Sequence, residues 1–307
     1  MTPPINTMTI LSINQLSKAY GNIQAVDKLS MVVERGTILG ILGPNGSGKT
    51  TTLGMILDVI HSDSGTFKWF NGEYGLYHRK QIGATLETPN FYPYLNADQN
   101  LEIVAQIKGV KQNGFDDILE LIGLKARRKS KFKTYSLGMK QRLAIGATLI
   151  GDPEVLIFDE PTNGLDPQGI AEIRDLLINL ASTGKTVIMA SHILDEVEKI
   201  CTHVAILKKG KLLAMGPVGF ILNNDRFAEL ATENMMELRN WLQSWIEPTF
   251  IKEMNGYLEC KLPEGYTAAQ INKLAFENGL ILTYLKVRSR KLEEEFIELT
   301  KTLAGDE

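Results

Sequence analysis

Residues 37–60 read TILGILGPNGSGKTTTLGMILDVI, and the pattern of this segment predicts the kind of fold. The short apolar run TILGIL (37–42) is typical of a buried strand, and TTLGMILDVI (51–60) is a plausible helix. Between them lies the glycine-rich turn GPNGSGKTT (43–51), which fits the pattern GxxxxGK[ST]. A strand, a glycine-rich turn and a helix in this order predict a loop that wraps around phosphate groups.

Each residue type in this loop has a chemical reason to be there. Glycines such as Gly43 and Gly48 let the backbone curl, so that successive N–H groups point at phosphate oxygens. Lys49 is expected to reach the β- and γ-phosphates of a nucleotide, and the Thr50 hydroxyl to coordinate Mg²⁺. The expected nucleotide contacts are Gly43, Pro44, Asn45, Gly46, Ser47, Gly48, Lys49, Thr50 and Thr51.

Two later strands end in residues that suit the chemistry of a bound nucleotide. VLIFDE (155–160) is an apolar run that ends in two carboxylates, and adjacent strand residues point to opposite faces. We therefore expect Asp159 to hold Mg²⁺ through water and Glu160 to orient and deprotonate the attacking water. His192 follows the apolar run TVIMAS, where ligands collect in parallel sheets, and is expected to touch the γ-phosphate. The alternative interpretations are that Asp159 and Glu160 are exposed acids at a strand end and that His192 is a structural histidine.

The order of these runs predicts an α/β fold with a mostly parallel sheet covered by helices. The region 91–151 has a helical pattern and is interpreted as a helical insertion. The run GKLLAMGPVG (210–219) is rich in glycine and is interpreted as the boundary of the main domain. Residues 220–307 are expected to form a small α+β domain with strands at YLECKL and ILTYLKV, helices at ELRNWLQSWI and TAAQINKLAFENG, and a final amphipathic helix at RKLEEEFIELT.

Composition narrows the function classes. The chain has 307 residues with a formal charge of −3, which argues against binding nucleic acid through a basic face. The basic run KARRKSKFK (125–133) is therefore interpreted as a solvated loop. Cys201 and Cys260 are too few for a disulfide framework or a zinc site. No apolar stretch is long enough to span a membrane and the N-terminus is unlike a signal peptide, so we expect a soluble protein.

Three further segments complete a family pattern. YSLGMKQRL (135–143), VLIFDEPTNGLDP (155–167) and ASH (190–192) resemble the ATP-binding cassette (ABC) family. The resemblance covers residues 8–217 and is strongest to the ATPase subunits of bacitracin- and lantibiotic-type exporters, which share YSLGMKQRL. It implies a P-loop NTPase fold with an antiparallel β subdomain, and an ATP hydrolase that uses Mg²⁺.

The resemblance also implies roles for residues outside the phosphate loop. Tyr20 matches the aromatic residue that stacks on adenine. Ser136 and Gly138 match the signature that contacts the γ-phosphate held by the opposite subunit, and Asp166 matches the loop that couples the two sites. His192 matches the switch histidine. These roles imply a homodimer, a membrane-spanning permease as partner, and a cytoplasmic location at the inner face of the cell membrane.

This sequence departs from the general family pattern at three positions. Leu137 and Met139 replace a glycine and a glutamine of the general signature, but the exporter subgroup shares both changes. Glu87 stands where the family usually carries a glutamine that meets Mg²⁺ and water. A carboxylate also ligates Mg²⁺, so we expect Glu87 to be a metal ligand together with Thr50 and Asp159.

The alternative is a soluble ABC ATPase that acts on ribosomes or nucleic acid. Ribosome-acting relatives usually carry two cassettes, whereas this chain has one phosphate loop and one signature. DNA-repair relatives carry a long coiled coil between these motifs, but Lys49 and Ser136 are only 87 positions apart (136 − 49) with no heptad run. Both observations favour an exporter of peptide antibiotics or other amphiphiles.

Overall fold

The computed structural model describes residues 9–86, 90–111, 113–221, 226–263 and 265–289. The chain divides into two compact units, Met1–Val218 and Gly219–Glu307. Two features singled out in the sequence, Glu87 and the predicted helix RKLEEEFIELT (290–300), lie outside the described residues. None of the helices in the described stretches is long and apolar enough to cross a lipid bilayer.

The elements of the first unit alternate between strands and helices after a β-rich beginning. In chain order they are β1 (Thr9–Tyr20), β2 (Ile23–Glu34), β3 (Ile38–Leu42), α1 (Lys49–Ile56), β4 (Ser64–Trp69), β5 (Ile82–Thr85), α2 (Ala97–Lys108), α3 (Asp116–Leu121), α4 (Leu137–Thr148), β6 (Val155–Asp159), α5 (Pro167–Ser182), β7 (Thr186–Ser191), α6 (Leu194–Ile200), β8 (His203–Lys208) and β9 (Lys211–Pro217). A short helix, α7 (Val218–Ile221), lies at the division between the units.

A six-stranded sheet forms the centre of the first unit, with the strand order β5-β6-β7-β3-β8-β9. All pairs are parallel except β8 with β9. Every residue of β3, β6 and β7 is buried, as expected for parallel strands that are covered on both faces. These three strands are neighbours although they are far apart in the chain, so their carboxyl ends meet at one edge of the sheet.

A second, antiparallel sheet packs on this central sheet. Its strand order is β2-β1-β4. Ile10, Leu11 and Leu29 of this sheet share one hydrophobic core with Leu39 and Val155 of the central sheet. Burial of these side chains fixes the two sheets against each other, so the antiparallel subdomain supports the strand that precedes the phosphate loop.

The region predicted as a helical insertion contains α2, α3 and α4, and its described residues include no strand. Asn96 and Gln99 form a capping box at the start of α2, because each side chain bonds the other residue's backbone N–H. Ser136 caps α4 by accepting a hydrogen bond from the backbone N–H of Met139 at 3.3 Å. The signature serine is thus also the N-cap of the signature helix, α4.

The sequence interpretation of residues 210–219 misses a strand. The run KLLAMGP forms β9, which pairs antiparallel with β8 at the edge of the central sheet. Its residues are only half-buried, so the run lacks both the continuous burial of a central strand and a clear alternation. An edge strand also tolerates glycine and proline, which explains why composition alone indicated a boundary.

The second unit is a small α+β domain. Its elements are β10 (Arg226–Ala231), α8 (Met235–Gln243), β11 (Ile251–Met254), β12 (Tyr257–Leu262), α9 (Ala268–Glu277) and β13 (Tyr284–Ser289). The strand order β11-β12-β10-β13, with all pairs antiparallel, is that of the ferredoxin-like βαββαβ arrangement. The strands predicted at YLECKL and ILTYLKV, and the two helices between 237 and 279, are confirmed.

The two faces of this small sheet differ in chemistry. Leu230 and Leu258 face the hydrophobic core that α8 and α9 complete. Glu229 and Glu259 are neighbours across paired strands on the other face, and both are buried. Arg288 lies between them and forms ion pairs with both carboxylates. A cation between two buried carboxylates offsets the repulsion that they would otherwise feel.

Candidate functional site

The phosphate loop occupies the turn between β3 and α1. Gly48 precedes the helix with a left-handed backbone, at a φ of 102°. A Cβ atom on Gly48 would lie 2.3 Å from the carbonyl oxygen of Ala25, and one on Gly43 would lie 2.4 Å from that of Leu207. The loop therefore lies against its neighbours too closely for any side chain at these two positions, and its backbone is held in one curve.

Lys49 is the first residue of α1 and its side chain lies under the loop. It is 5% exposed. Its ammonium group donates to the carbonyl oxygens of Gly43 at 2.8 Å and Pro44 at 3.3 Å, and lies 3.4 Å from a carboxylate oxygen of Glu160. The charge is thus placed inside the curve of the loop, where the phosphates of a nucleotide would replace these carbonyl partners.

Thr50 and Asp159 meet although they are 109 positions apart in the chain. The Thr50 hydroxyl donates to the Asp159 carboxylate at 2.7 Å, and Asp159 is buried at the carboxyl end of β6. A hydroxyl and a carboxylate beside a phosphate site are hard oxygen donors of the kind that Mg²⁺ uses together with phosphate oxygens and water. The residues present therefore fit a magnesium ion.

Glu160 and His192 form the second contact between strand ends. The Glu160 carboxylate lies 2.8 Å from Nδ1 of His192, and the backbone N–H of Glu160 donates to the carbonyl oxygen of Ala190 at 2.9 Å. An ionised carboxylate only accepts hydrogen bonds, so Nδ1 carries the hydrogen and Nε2 is the nitrogen left for another partner. The His192 side chain is 37% exposed and thus reachable by a ligand.

The direction of the Glu160 side chain has a different origin from the one expected. The sequence argument assumed that strand alternation separates Asp159 from Glu160, but β6 ends at Asp159. Glu160 has a left-handed backbone with a φ of 50°, which is uncommon for a residue other than glycine. The turn that begins at this residue, and not the pleat of a strand, brings its carboxylate to Lys49 and His192.

Five of the predicted site residues are thus brought together. They are Lys49, Thr50, Asp159, Glu160 and His192. Thr50 contacts Asp159 at 2.7 Å. Glu160 contacts His192 at 2.8 Å and Lys49 at the end of the phosphate loop at 3.4 Å. Asp159 and Glu160 are consecutive, so the two groups share one strand end. The loop, the metal-side pair and the base–histidine pair form a single site at one edge of the central sheet.

The signature residues and Asp166 are not joined to this site. Ser136 is exposed, Gly138 is half-buried, and among the described residues no hydrogen bond connects either of them with the phosphate loop. Asp166 caps α5 by accepting from the backbone N–H of Gly169 at 2.9 Å. A Cβ atom on Gly138 would lie 3.9 Å from the Leu165 side chain, so the signature and the segment before α5 lie side by side.

The structure also shows which residues surround Tyr20 and Leu137. Tyr20 is the last residue of β1 and is 48% exposed, with the Lys18 ammonium 5.6 Å from its ring centre. Leu137 is 43% exposed, and its side chain lies 3.2 Å from where a Cβ atom on Gly164 would be. The leucine that departs from the general signature therefore packs over the turn that carries Gly164.

One buried pair near the site was missed from the sequence. The Thr162 hydroxyl donates to the Glu196 carboxylate, and the two residues are 1% and 5% exposed. Glu196 lies in the run ILDEVEK (193–199), which reads as a charged, solvated helix start. Helical periodicity places Glu196 three residues after Ile193 and four before Ile200, on the apolar face of α6, and this is the sequence signal that could have found it.

The fold and this site define a nucleotide-binding α/β protein of the P-loop NTPase class. Residues 26–163 match the family model described as ABC transporter. The bacitracin transport ATP-binding protein BcrA of Bacillus licheniformis is 38% identical over 299 residues, covering 95% of this chain and 97% of the relative. The lantibiotic transport ATP-binding protein SrtF of Streptococcus pyogenes is 36% identical over 204 residues, covering 66% and 89%.

Solved structures agree with these relatives. The ATP-binding cassette MJ0796, in a dimeric post-hydrolysis state bound to ADP and Pi, has a TM-score of 0.60 and 26% identity over 68% of this chain and 99% of that one. The chain belongs to the family of ABC transporter ATP-binding proteins, which bind and hydrolyse ATP. The relatives are transport proteins, so the alternative of a soluble ATPase acting on ribosomes or nucleic acid finds no support among them.

Proposed function

We propose that this ATPase drives the export of a peptide antibiotic or another amphiphile through a permease that is a separate chain. The observation that carries the proposal is the similarity to the bacitracin transport protein along 95% of the chain. That similarity includes the region after residue 217, which the shared cassette does not contain. The predicted boundaries, a cassette at 8–217 and an accessory domain at 220–307, are supported by the division of the structure at Val218.

The ATP-hydrolysing groups follow from the geometry of the site. Lys49 exchanges its carbonyl partners for β- and γ-phosphate oxygens of ATP, and the backbone N–H groups of the loop hold the same phosphates. Glu160 accepts a proton from the attacking water, since its carboxylate is held by Lys49 and His192. A hydrogen bond from His192 to the γ-phosphate requires a hydrogen on Nε2 as well, so the imidazolium form of His192 would donate from Nε2 while its Nδ1–H stays with Glu160. Thr51 and the exposed loop residues between Gly43 and Ser47 complete the proposed phosphate contacts.

Thr50 and Asp159 are the residues that would hold Mg²⁺. When bound, this ion neutralises charge on the β- and γ-phosphates and stabilises the charge that develops as the γ-phosphoryl group is transferred. The hydrogen bond between Thr50 and Asp159 keeps both oxygens at one place before any ligand arrives. Glu87 stays a proposed third ligand from the sequence pattern.

We propose that two copies of the chain are needed for a complete site. In the described part of the chain, Ser136 and Gly138 make no hydrogen bond to the phosphate loop; Ser136 is exposed, and Gly138 lies beside Leu165. A γ-phosphate bound to one copy would be contacted by the signature of a second copy, with Asp166 next to that contact. A symmetric dimer then encloses two ATP molecules and opens when hydrolysis removes the bridge.

Exposed aromatic side chains indicate a surface for the permease. Tyr92 and Tyr94 are 49% and 62% exposed, and their rings lie 5.9 Å apart. Backbone hydrogen bonds from Phe132 to Leu95 and from Lys133 to Pro93 fix the loop that carries them. Tyrosine is enriched in protein interfaces, so these rings suit a segment of a membrane subunit. Such a partner would keep the ATPase at the inner face of the cell membrane.

The test of this function uses Glu160→Gln, which is expected to bind ATP without hydrolysing it. A tagged variant is recovered from detergent-solubilised native cells in the presence of ATP, and the proteins that accompany it are identified. Lys49→Ala, which loses the phosphate contact, is the matched control. A polytopic membrane protein with Glu160→Gln supports the proposal, whereas ribosomal proteins or DNA without any membrane protein would refute it.

The cargo is tested in the same cells. Cells that depend on Glu160→Gln are expected to be inhibited by lower concentrations of a peptide antibiotic than cells with the unchanged protein. The minimal inhibitory concentrations of bacitracin, a lantibiotic and an unrelated hydrophilic antibiotic are compared. Equal sensitivity to all three antibiotics in both strains would argue against export of this class of cargo.

A further inference from the structure

The feature that carries a further inference is the buried hydrogen bond between Thr162 and Glu196. Glu196 lies in the first turn of α6, yet it is 5% exposed, whereas neighbouring Asp195 is exposed. A buried carboxylate is costly unless hydrogen bonds stabilise it. Among the described residues, the Thr162 hydroxyl is the hydrogen-bond donor recorded for this carboxylate.

The position of this pair links two segments of the catalytic site. Thr162 follows Glu160 by two residues, and Glu196 follows His192 by four. A backbone hydrogen bond holds each segment, since the Asn163 N–H donates to the carbonyl oxygen of Glu160 at 3.1 Å and the Val197 N–H donates to that of Ile193 at 3.3 Å. The contacts Glu160–His192 and Thr162–Glu196 therefore close a ring of residues 160–162 and 192–196, directly after the ends of β6 and β7.

The electrostatics place Glu196 within reach of the same two groups. Burial raises the pKa of the Glu196 carboxyl, and the hydrogen bond from Thr162 lowers it. The negative charge of Glu160 raises the same pKa, whereas His192 lowers it. The charges of the catalytic carboxylate and of the histidine thus act on Glu196.

We propose that Thr162 and Glu196 are positioning residues for ATP hydrolysis, because their buried hydrogen bond holds the loop of Glu160 against the helix that follows His192. The proposal rests on the roles of Glu160 and His192 proposed above. Among the described residues, no hydrogen bond or ion pair joins Thr162 or Glu196 to the phosphate loop, so loss of their bond would disturb the Glu160–His192 contact and leave the loop that binds ATP in place. Turnover, and not ATP affinity, is the quantity that should change.

The matched variants are Thr162→Val, which removes the hydroxyl at nearly constant volume, and Thr162→Ser, which keeps the hydroxyl. Displacing a catalytic group by about 1 Å costs on the order of 100-fold, so kcat of Thr162→Val is expected to fall by about 10- to 100-fold. KM and the Kd for ATP are expected to stay within about threefold, since the phosphate contacts are unchanged. Thr162→Ser is expected to retain most of the turnover.

Variants of Glu196 test the same hydrogen bond through its acceptor. Glu196→Gln still presents a carbonyl oxygen to Thr162 and is expected to resemble the unchanged protein, whereas Glu196→Leu is expected to resemble Thr162→Val. If Thr162→Val fails to fold, as judged by ATP binding and thermal unfolding, the comparison of Glu196→Leu with Glu196→Gln carries the test. The purified full-length chain is used throughout.

A background variant distinguishes positioning from a general structural role. In a His192→Ala background the Glu160–His192 contact is already lost, so adding Thr162→Val should lower kcat little further. A full additional loss in that background, a rise of KM at constant kcat, or a Thr162→Ser protein as slow as Thr162→Val would each overturn the proposal. If the unchanged chain hydrolyses ATP but His192→Ala has no effect, the assigned role of His192 fails instead.

Discussion

Replacing Gly48 with alanine tests whether the close approach of the phosphate loop to β2 is required for activity. A Cβ atom there would lie 2.3 Å from the carbonyl oxygen of Ala25, and ordinary contact begins at 3.4 Å, so one of the two segments must move by about 1.1 Å (3.4 − 2.3). A displacement of about 1 Å at a catalytic site costs on the order of 100-fold. We therefore expect kcat/KM for ATP to fall by about 100-fold, which corresponds to about 2.7 kcal/mol.

The matched control is Gly184→Ala. Gly184 also has a left-handed φ, of 91°, but a Cβ atom there meets nothing within 4 Å. It precedes β7 at the end opposite His192. A left-handed alanine costs about 1–2 kcal/mol of stability. The melting temperature of this control should fall by about 2–8 °C, because 1 kcal/mol corresponds to about 2–4 °C in a domain of this size.

The assay compares kcat/KM and thermal unfolding of both variants with the unchanged chain. Gly184→Ala is expected to lose stability and keep kcat/KM within about twofold, since the strain lies outside the site. Gly48→Ala is expected to lose both. If Gly48→Ala hydrolysed ATP as well as Gly184→Ala, the approach to Ala25 would not be the reason for a glycine at this position, and the argument from loop geometry would be wrong.

Three further outcomes are expected. Asp159→Asn should lower Mg²⁺-dependent turnover by about 100-fold or more while ATP binding in EDTA stays close to normal, because the amide removes a charged metal ligand; this is measured by titrating Mg²⁺ in the ATPase assay. Cys201 and Cys260 should resist a thiol reagent in the native protein, because burial raises the pKa of both thiols, that of Cys260 to about 12. ATP should slow the labelling of Cys201, which lies in the unit that carries the phosphate loop, but not the labelling of Cys260. Arg288→Met should destabilise the second unit by about 3–5 kcal/mol, because buried Glu259 loses its ion pair with Arg288 and Glu229 keeps the more distant Lys286 ammonium at 3.9 Å; faster labelling of Cys260 at unchanged labelling of Cys201 would show it.

Several parts of the fold could be predicted because they have strong local patterns. The buried strands β3, β6 and β7 are continuous apolar runs, and the residues that follow each of them are of the types that bind phosphate and metal. The strand β9 could not be predicted in this way. Its half-buried residues and its glycine are consequences of a place at the sheet edge, and that place depends on pairing with β8.

The functional site, like the fold, could be predicted only in part. The sequence pattern indicated Lys49 and Glu160 as residue types, but it did not indicate that their side chains lie 3.4 Å apart. The left-handed backbone of Glu160 was not predicted either, because glutamate rarely adopts it. A residue can be held in such a conformation only when the surrounding structure determines it.

The amino-acid sequence by itself determined the order of strands and helices around the phosphate loop, and the kinds of side chain at each strand end. Periodicity and turn chemistry are local properties that can be read along the chain. Only the tertiary structure decided that β6, β7 and β3 are neighbours, and therefore that Thr50 meets Asp159, that Glu160 meets His192 and that the bond from Thr162 to Glu196 is buried. Each of these contacts joins residues at least 32 positions apart, and such contacts form only when the buried strands pack into one sheet.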